Sequence, residues 1–179
     1  TGMVRPVSSE TWTDTIDAAI DVALACGCRK LVLSTGRTSE LAAQRALALS
    51  EESYIMMGDH AGHALRACSR KGAREIVLAG QFAKLLKIAC GHEQTHVSSS
   101  RLDLRTLAEW LNASPDTSRL VPLTLKSNTA REILESTEGN SDLISLVCGR
   151  AARFAAKLAR GCTVKVFLAG YGGEMLYFG

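Results

Sequence analysis

The chain has 179 residues, 46% of them hydrophobic and 22% charged, and a formal net charge of +3. That length suits one domain with a full core, and the composition is that of an ordinary globular protein. The charge is too mild to argue for nucleic acid, and no apolar run reaches the roughly 18 residues of a membrane span. Aromatics make up only 5%, so the core must be aliphatic and rich in alanine. No signal peptide is visible. The chain opens on Thr1-Gly2 rather than Met, which reads as a processed chain or a piece of a longer one. Of the six cysteines, none forms C-x-x-C and four fall on or beside apolar helix faces. They read as buried, reduced thiols of a cytoplasmic protein.

The first helix is entered at Arg5-Pro6-Val7-Ser8, with Ser8 as N-cap. Ile16, Ala19, Ile20, Ala23 and Leu24 form its apolar stripe, and Gly27 ends it. Strands are expected at Lys30–Ser34, Tyr54–Met57, Glu75–Ala79 and Val164–Ala169. The third, Ile76-Val77-Leu78-Ala79 at its heart, is apolar without alternation, which suits a strand buried on both faces. Each of the first three ends in a glycine turn that opens a helix. Thr35-Gly36-Arg37 leads to a helix from about Ser39 to Leu49. Gly58-Asp59-His60 leads to one with Ala61, Ala64, Leu65 and Cys68 on one face, closed by Gly72. Gly80-Gln81 leads to one with Phe82, Leu85, Leu86 and Ala89 as its stripe, closed by Gly91. If the strands are parallel, the three turns share one sheet edge, where helix N-termini favour anionic and polar ligand groups.

The segment from His92 to Asp103 is polar, has no period, and is long enough to suggest function. A helix with Leu104, Leu107, Ala108 and Leu111 follows. Thr129 and Glu132 stand at capping-box spacing at the start of another. The longest helix spans about Asp142–Arg160, with Ile144, Val147, Cys148, Ala151, Ala155 and Leu158 facing in. Its Arg150, Arg153, Lys157, Arg160 stripe reads as a solvated face, with an acidic ligand or neighbouring domain as the alternative. Met175–Phe178 reads as a short returning strand. The expected fold is therefore α/β: a mostly parallel, Rossmann-like sheet of four or more strands with helices on both faces and an extra helical segment before the last strand.

Neither G-x-G-x-x-G nor a P-loop is present. Asp59, at the end of the second strand, can hold a ribose diol or merely cap its helix. His60 with His63, and His92 with His96, are paired at short spacing but lack a third ligand, so no metal site is assigned. Thr95-His96 fits either a ligand contact or local turn bonding.

Taken together, Thr1-Gly2-Met3-Val4-Arg5-Pro6-Val7-Ser8, Gly58-Asp59-His60-Ala61-Gly62, Gly80-Gln81-Phe82-Ala83-Lys84-Leu85-Leu86-Lys87 with Ala89 and Gly91, Thr95-His96 and Asn128-Thr129-Ala130 resemble the C-terminal part of the CbiD family, the cobalt-precorrin-5B C1-methyltransferases. They occur in the family's order across nearly the whole chain. The resemblance implies methyl transfer from S-adenosyl-L-methionine to C1 of a cobalt corrinoid in oxygen-independent cobalamin biosynthesis. It also implies an N-terminal half of the same enzyme, since the family's Thr-Gly-Thr/Ser-Cys-Ala-Ala run does not occur here. The chain departs from the family at Gln94, where Asn is usual, and over Val97–Asp103. On this reading Thr35, Gly36, Gly58, Asp59, Gly80 and Gln81 bind the methyl donor. Arg5, Arg37, Lys84, Lys87, Thr95, His96 and Asn128 bind the corrinoid, whose many carboxylates suit the cations. For Lys84 and Lys87 a solvated helix face is the alternative. No general base is nominated, and a homo-oligomer is left open. A second reading is a non-catalytic binding or docking domain for a corrinoid or a partner protein.

Overall fold

The computed structural model describes residues 9–179. Arg5 and the Pro6–Ser8 entry to the first helix lie outside the described residues. The elements are α1 Ser9–Ala25, β1 Lys30–Ser34, α2 Arg37–Leu47, β2 Tyr54–Met56, α3 Ala61–Lys71, β3 Glu75–Gly80 and α4 Phe82–Ala89. They continue with α5 Leu104–Asn112, α6 Pro115–Ser118, α7 Val121–Lys126, α8 Ala130–Ser136, α9 Ser141–Leu158, β4 Thr163–Ala169 and β5 Met175–Phe178.

The five strands form one sheet in the order β2-β1-β3-β4-β5. The first four are parallel, and β5 returns antiparallel along β4. β1 and β4 pair both edges of β3, and helices cover both faces of its apolar run. Val77 and Ala79 join Val32, Phe167 and Ala169 against Ala42 and Ala43 of α2. Ile76 and Leu78 turn the other way, into a larger core with Ile16, Ile20, Leu65, Phe82, Leu86 and Val147. The layers are therefore unequal. One face is covered by α2, a short helix whose alanines let it lie close. The other carries α1, α3, α4 and α9, with Leu107 and Leu111 of α5 and Ile133 and Leu134 of α8 in the same core.

Burial of Ile76, Val77, Leu78 and Ala79 is complete. At about 25 cal/mol per Å² of apolar surface, a fully buried aliphatic side chain of this size stabilises by about 1.5–3 kcal/mol. This makes β3 the strand on which the sheet depends. Among the described residues no helix is long and apolar enough to cross a membrane.

Two expectations about helices are refined. The second helix begins at Arg37 rather than Ser39, because Gly36 is its N-cap and the Ser39 hydroxyl donates to the Gly36 carbonyl at 2.8 Å. The basic stripe of α9 is not uniformly solvated. The Arg150 guanidinium stacks 4.1 Å over the Trp110 ring, and burial lowers its basicity.

Candidate active site at the carboxyl edge of the sheet

The ends of β1, β2 and β3 are stitched together by backbone bonds. Thr35 N–H donates to the Ala79 carbonyl at 2.9 Å, and Met57 and Gly58 N–H both donate to the Ser34 carbonyl at 3.0 and 3.2 Å. The three glycine turns thus lie side by side on one edge. Two of the glycines make room for protein rather than for open space. At Gly58, which has φ +58°, a Cβ would lie 3.3 Å from Trp12 Nε1. That indole donates to the Met57 carbonyl at 3.2 Å. At Gly80 a Cβ would lie 3.1 Å from Thr35 Oγ1 and 3.2 Å from Leu85. Gly36 is the open one, with extended backbone and nothing within 4 Å of a Cβ.

Asp59 is the centre of the constellation. It is not the N-cap of α3; His60 holds that position, with no side-chain cap bond. The Asp59 carboxylate instead takes two hydrogen bonds on Oδ1, from Lys84 Nζ and from Thr95 Oγ1, the second at 2.6 Å. Its Oδ2 has no hydrogen-bond partner among the described residues. Burial pushes the Asp59 carboxyl up, but the bonds from Lys84 and Thr95 and the Lys84 charge outweigh it, so it sits below its ordinary value. Lys87 is almost fully buried and donates to the Thr95 carbonyl at 2.8 Å; Lys84 reaches the same carbonyl at 3.3 Å. Burial, helped by the neighbouring Lys84 charge, lowers the Lys87 ammonium. Neither lysine lies on a solvated face, which corrects that alternative: both hold a backbone carbonyl.

The polar segment after α4 folds back as a strap over the start of α3. Gly62 N–H donates to the Glu93 carbonyl at 2.9 Å, and Thr95 N–H to the Asp59 carbonyl at 3.1 Å. The Glu93 carboxylate forks with the Arg66 guanidinium, and Gln94 Nε2 lies 2.8 Å from His60 Nδ1. Gly62 is required here, since a Cβ would meet the Glu93 side chain at 2.5–2.9 Å. A glycine in the first turn of a helix costs helix stability. A glycine so placed is the sequence signal from which a close approach here could have been read; no such approach was among the expectations. The tip of the strap is closed locally: the His96 ring nitrogen Nδ1 lies 2.7 Å from Ser98 Oγ, and Ser100 Oγ donates to the His96 carbonyl at 3.1 Å.

Between turn and strap lies an open cleft of about 410 Å³, lined by Asp59, His60, Gln94, His96, Ser98 and Ser99. The structure therefore brings Asp59, Lys84, Lys87, Thr95 and His96 together, and places Thr35, Gly36, Gly58, Gly80 and Gln81 on the same edge. It does not bring in every expected residue. Arg37 is largely exposed and paired with Glu40 at 2.9 Å. Asn128 is exposed at the start of α8, and its backbone N–H donates to Glu132 Oε2 at 2.7 Å. His60, Gln94, Ser98 and Ser99 line the cleft without having been expected there. No group of three or more metal-ligating side chains occurs among the described residues.

Comparison with known proteins then bears on this edge. Residues 94–178 match the model of the CbiD C-terminal domain. Over its whole length the chain is 65% identical to the cobalt-precorrin-5B C(1)-methyltransferase of Geobacter sulfurreducens and 61% identical to that of Geotalea daltonii. It is 57% identical, again over its whole length, to the protein of that name from Geobacter metallireducens. The chain belongs to the CbiD family. It spans about half the length of these relatives, 50–51% of each. No solved structure matches it. The CbiD model begins at Gln94, so β1–β3, Asp59 and Glu93 lie outside the matched segment, while the strap from Gln94 onward, β4 and β5 lie inside it. The Asp59–Thr95 bond joins the two parts.

Proposed function

We propose that this chain is the C-terminal half of an enzyme that transfers a methyl group from S-adenosyl-L-methionine to C1 of cobalt-precorrin-5B in cobalamin biosynthesis. The observation that carries the reading is the convergence of two segments distant in sequence, Gly58-Asp59-His60 and Gln94-Thr95-His96, on one cleft at the carboxyl edge. The cleft residues fit a polar donor. Asp59 commits Oδ1 to Lys84 and Thr95 and leaves Oδ2 free to accept from a ribose diol. Against the upward push of burial, the hydrogen bonds from Lys84 and Thr95, with the Lys84 charge, hold that carboxyl below its ordinary value.

The donor supplies an electrophilic methyl: the sulfur–carbon bond breaks, its electron pair stays on sulfur, and a carbon–carbon bond forms at C1. What the protein contributes is position and exclusion of water. The strap, fixed by Glu93, Gln94 and Thr95, forms one wall of the cleft. Asp59, held from two sides, offers an acceptor whose direction does not depend on the ligand. Calorimetry with S-adenosylhomocysteine tests this, with one-site binding as the expected result. Corrinoid binding without any binding of S-adenosylhomocysteine would favour the second reading, a docking domain serving the other half. That second reading draws on one observation, that the relatives are twice as long as this chain.

A further inference from the structure

The strap has two flanks. Its outward limb lines the Asp59 cleft. Its return limb, together with His92, lines a second opening of about 510 Å³ bounded by His92, Arg101, Leu102, Asp103, Leu104 and Arg105. The side chains of Arg101 and Arg105 are exposed and have no hydrogen bond or ion pair among the described residues, although the Arg105 backbone bonds to the Asp103 carboxylate. The cations of the first cleft are already engaged: Lys84 by Asp59, Lys87 by the Thr95 carbonyl, and Arg37 nearby by Glu40. The one carboxylate at the second opening does not neutralise its arginines. Asp103 caps α5, accepting from Thr106 N–H at 2.9 Å and from Thr106 Oγ1 at 2.7 Å, one bond on each oxygen. Leu102 and Leu104 are partly buried against the main core and give the opening an apolar wall.

Two unpaired guanidiniums beside an apolar wall select a ligand with a flat apolar body and carboxylates on its rim. We infer that Arg101 and Arg105 anchor peripheral carboxylates of the corrin ring, in place of Lys84 and Lys87. This rests on the corrinoid reading proposed above. The strap then lies between the two openings, with the donor edge on one side and the carboxylate anchor on the other.

The test is calorimetric titration of the chain with cobyrinic acid, a cobalt corrinoid with free carboxylates, and with its fully esterified form. Three proteins are compared: the parent, Arg101→Met with Arg105→Met together, and Lys157→Met as a charge control on α9. The double variant should bind the acid at least tenfold more weakly, about 1.4 kcal/mol, and bind the ester as the parent does. Its melting temperature should match the parent's, because neither side chain has a partner to lose, and Lys157→Met should change nothing. Parent-like affinity of the double variant for the acid overturns the assignment of the anchor. A parent that binds neither corrinoid form removes the corrinoid reading itself, and the anchor with it.

Discussion

Replacing Asp59 by alanine leaves two donors without their acceptor. Thr95 is fully buried, and its hydroxyl loses the acceptor that Asp59 supplies at 2.6 Å. An orphaned buried hydroxyl costs about 1–3 kcal/mol. The Lys84 side chain is 31% exposed and keeps the Thr95 carbonyl at 3.3 Å, so water takes over most of its ammonium. Loss of that ion pair adds about 1 kcal/mol or less. The expected destabilisation is about 1–4 kcal/mol, read as a shift of the urea midpoint at constant slope. Asp59→Asn keeps an oxygen for Thr95 and drops only the charge, so about 1 kcal/mol is expected. The pH dependence has a fixed sign. Asp59 sits below its ordinary value of 3.8, so its stabilisation is present above that value and is lost as the pH falls through the folded one. The gap between parent and Asp59→Asn should therefore be open at about pH 7 and narrow progressively as the pH falls below 3.8. Affinity for S-adenosylhomocysteine should fall by more than tenfold in both variants, about 1.4 kcal/mol. A midpoint for Asp59→Ala equal to the parent's refutes the clustered geometry. Lost stability with unchanged affinity removes Asp59 from the ligand site and leaves it as the clasp of the strap.

Leu78 is fully buried in β3 between β1 and β4, so Leu78→Ala should cost about 2–5 kcal/mol, and an unmoved midpoint would contradict its place in the core. Gly80→Val forces methyl groups onto Thr35 Oγ1 and Leu85, so it should destabilise by about 1–3 kcal/mol and speed hydrogen exchange at the Thr35 amide. Lost donor affinity with a parent-like midpoint would mean that Gly80 faces ligand instead. Burial pushes the thiols of Cys68 and Cys148 up to about 12 and that of Cys90 to about 11, whereas Cys26 is exposed. Iodoacetamide followed by mass spectrometry should find Cys26 labelled first, and labelling of Cys68 on the same timescale would contradict its burial.

Much of the fold is legible because its signals are local. The run Ile76-Val77-Leu78-Ala79 lacks alternation since both of its faces are covered, and the stripe of α4 repeats at helical spacing since one side meets the core. Thr129 and Glu132 show their cap in the sequence, and the structure has the bond, Glu132 N–H to Thr129 Oγ1 at 3.1 Å. What is not local is not legible. The order β2-β1-β3-β4-β5 is decided by pairing between strands far apart in the chain. The end of α2 carries no glycine; Ala48 itself takes the left-handed conformation, φ +46°. No residue type announced that stop. The inequality of the two layers rests on Ala42 and Ala43, whose small side chains read as helix formers and say nothing of which face they cover.

The site divides in the same way. The glycine turns were readable as a shared edge because parallel strands must all end on one side. The return of the strap was not, and the reason lies in α4. That helix has eight residues, about 12 Å at 1.5 Å per residue, so a loop leaving its far end has little distance to recover. Its polar residues then find partners on the α3 turn: Glu93 on Arg66, Gln94 on His60, Thr95 on Asp59. A run of polar residues without period looks the same whether it bonds to itself, to water or across the fold. Of the two expectations for Thr95-His96, local turn bonding holds for the His96 ring, whereas Thr95 bonds across the fold to Asp59, which neither expectation described. Lys84 and Lys87 show the same limit. Three apart on one side of α4, they read equally as solvent-facing, ligand-facing or backbone-facing cations. The short helix decides for the backbone, because it brings the Thr95 carbonyl back within reach of both. Charge that holds a strap in place is not free to hold a ligand, which leaves Arg101 on the strap's return limb and Arg105 in the first turn of α5 as the unpaired side-chain cations beside it among the described residues.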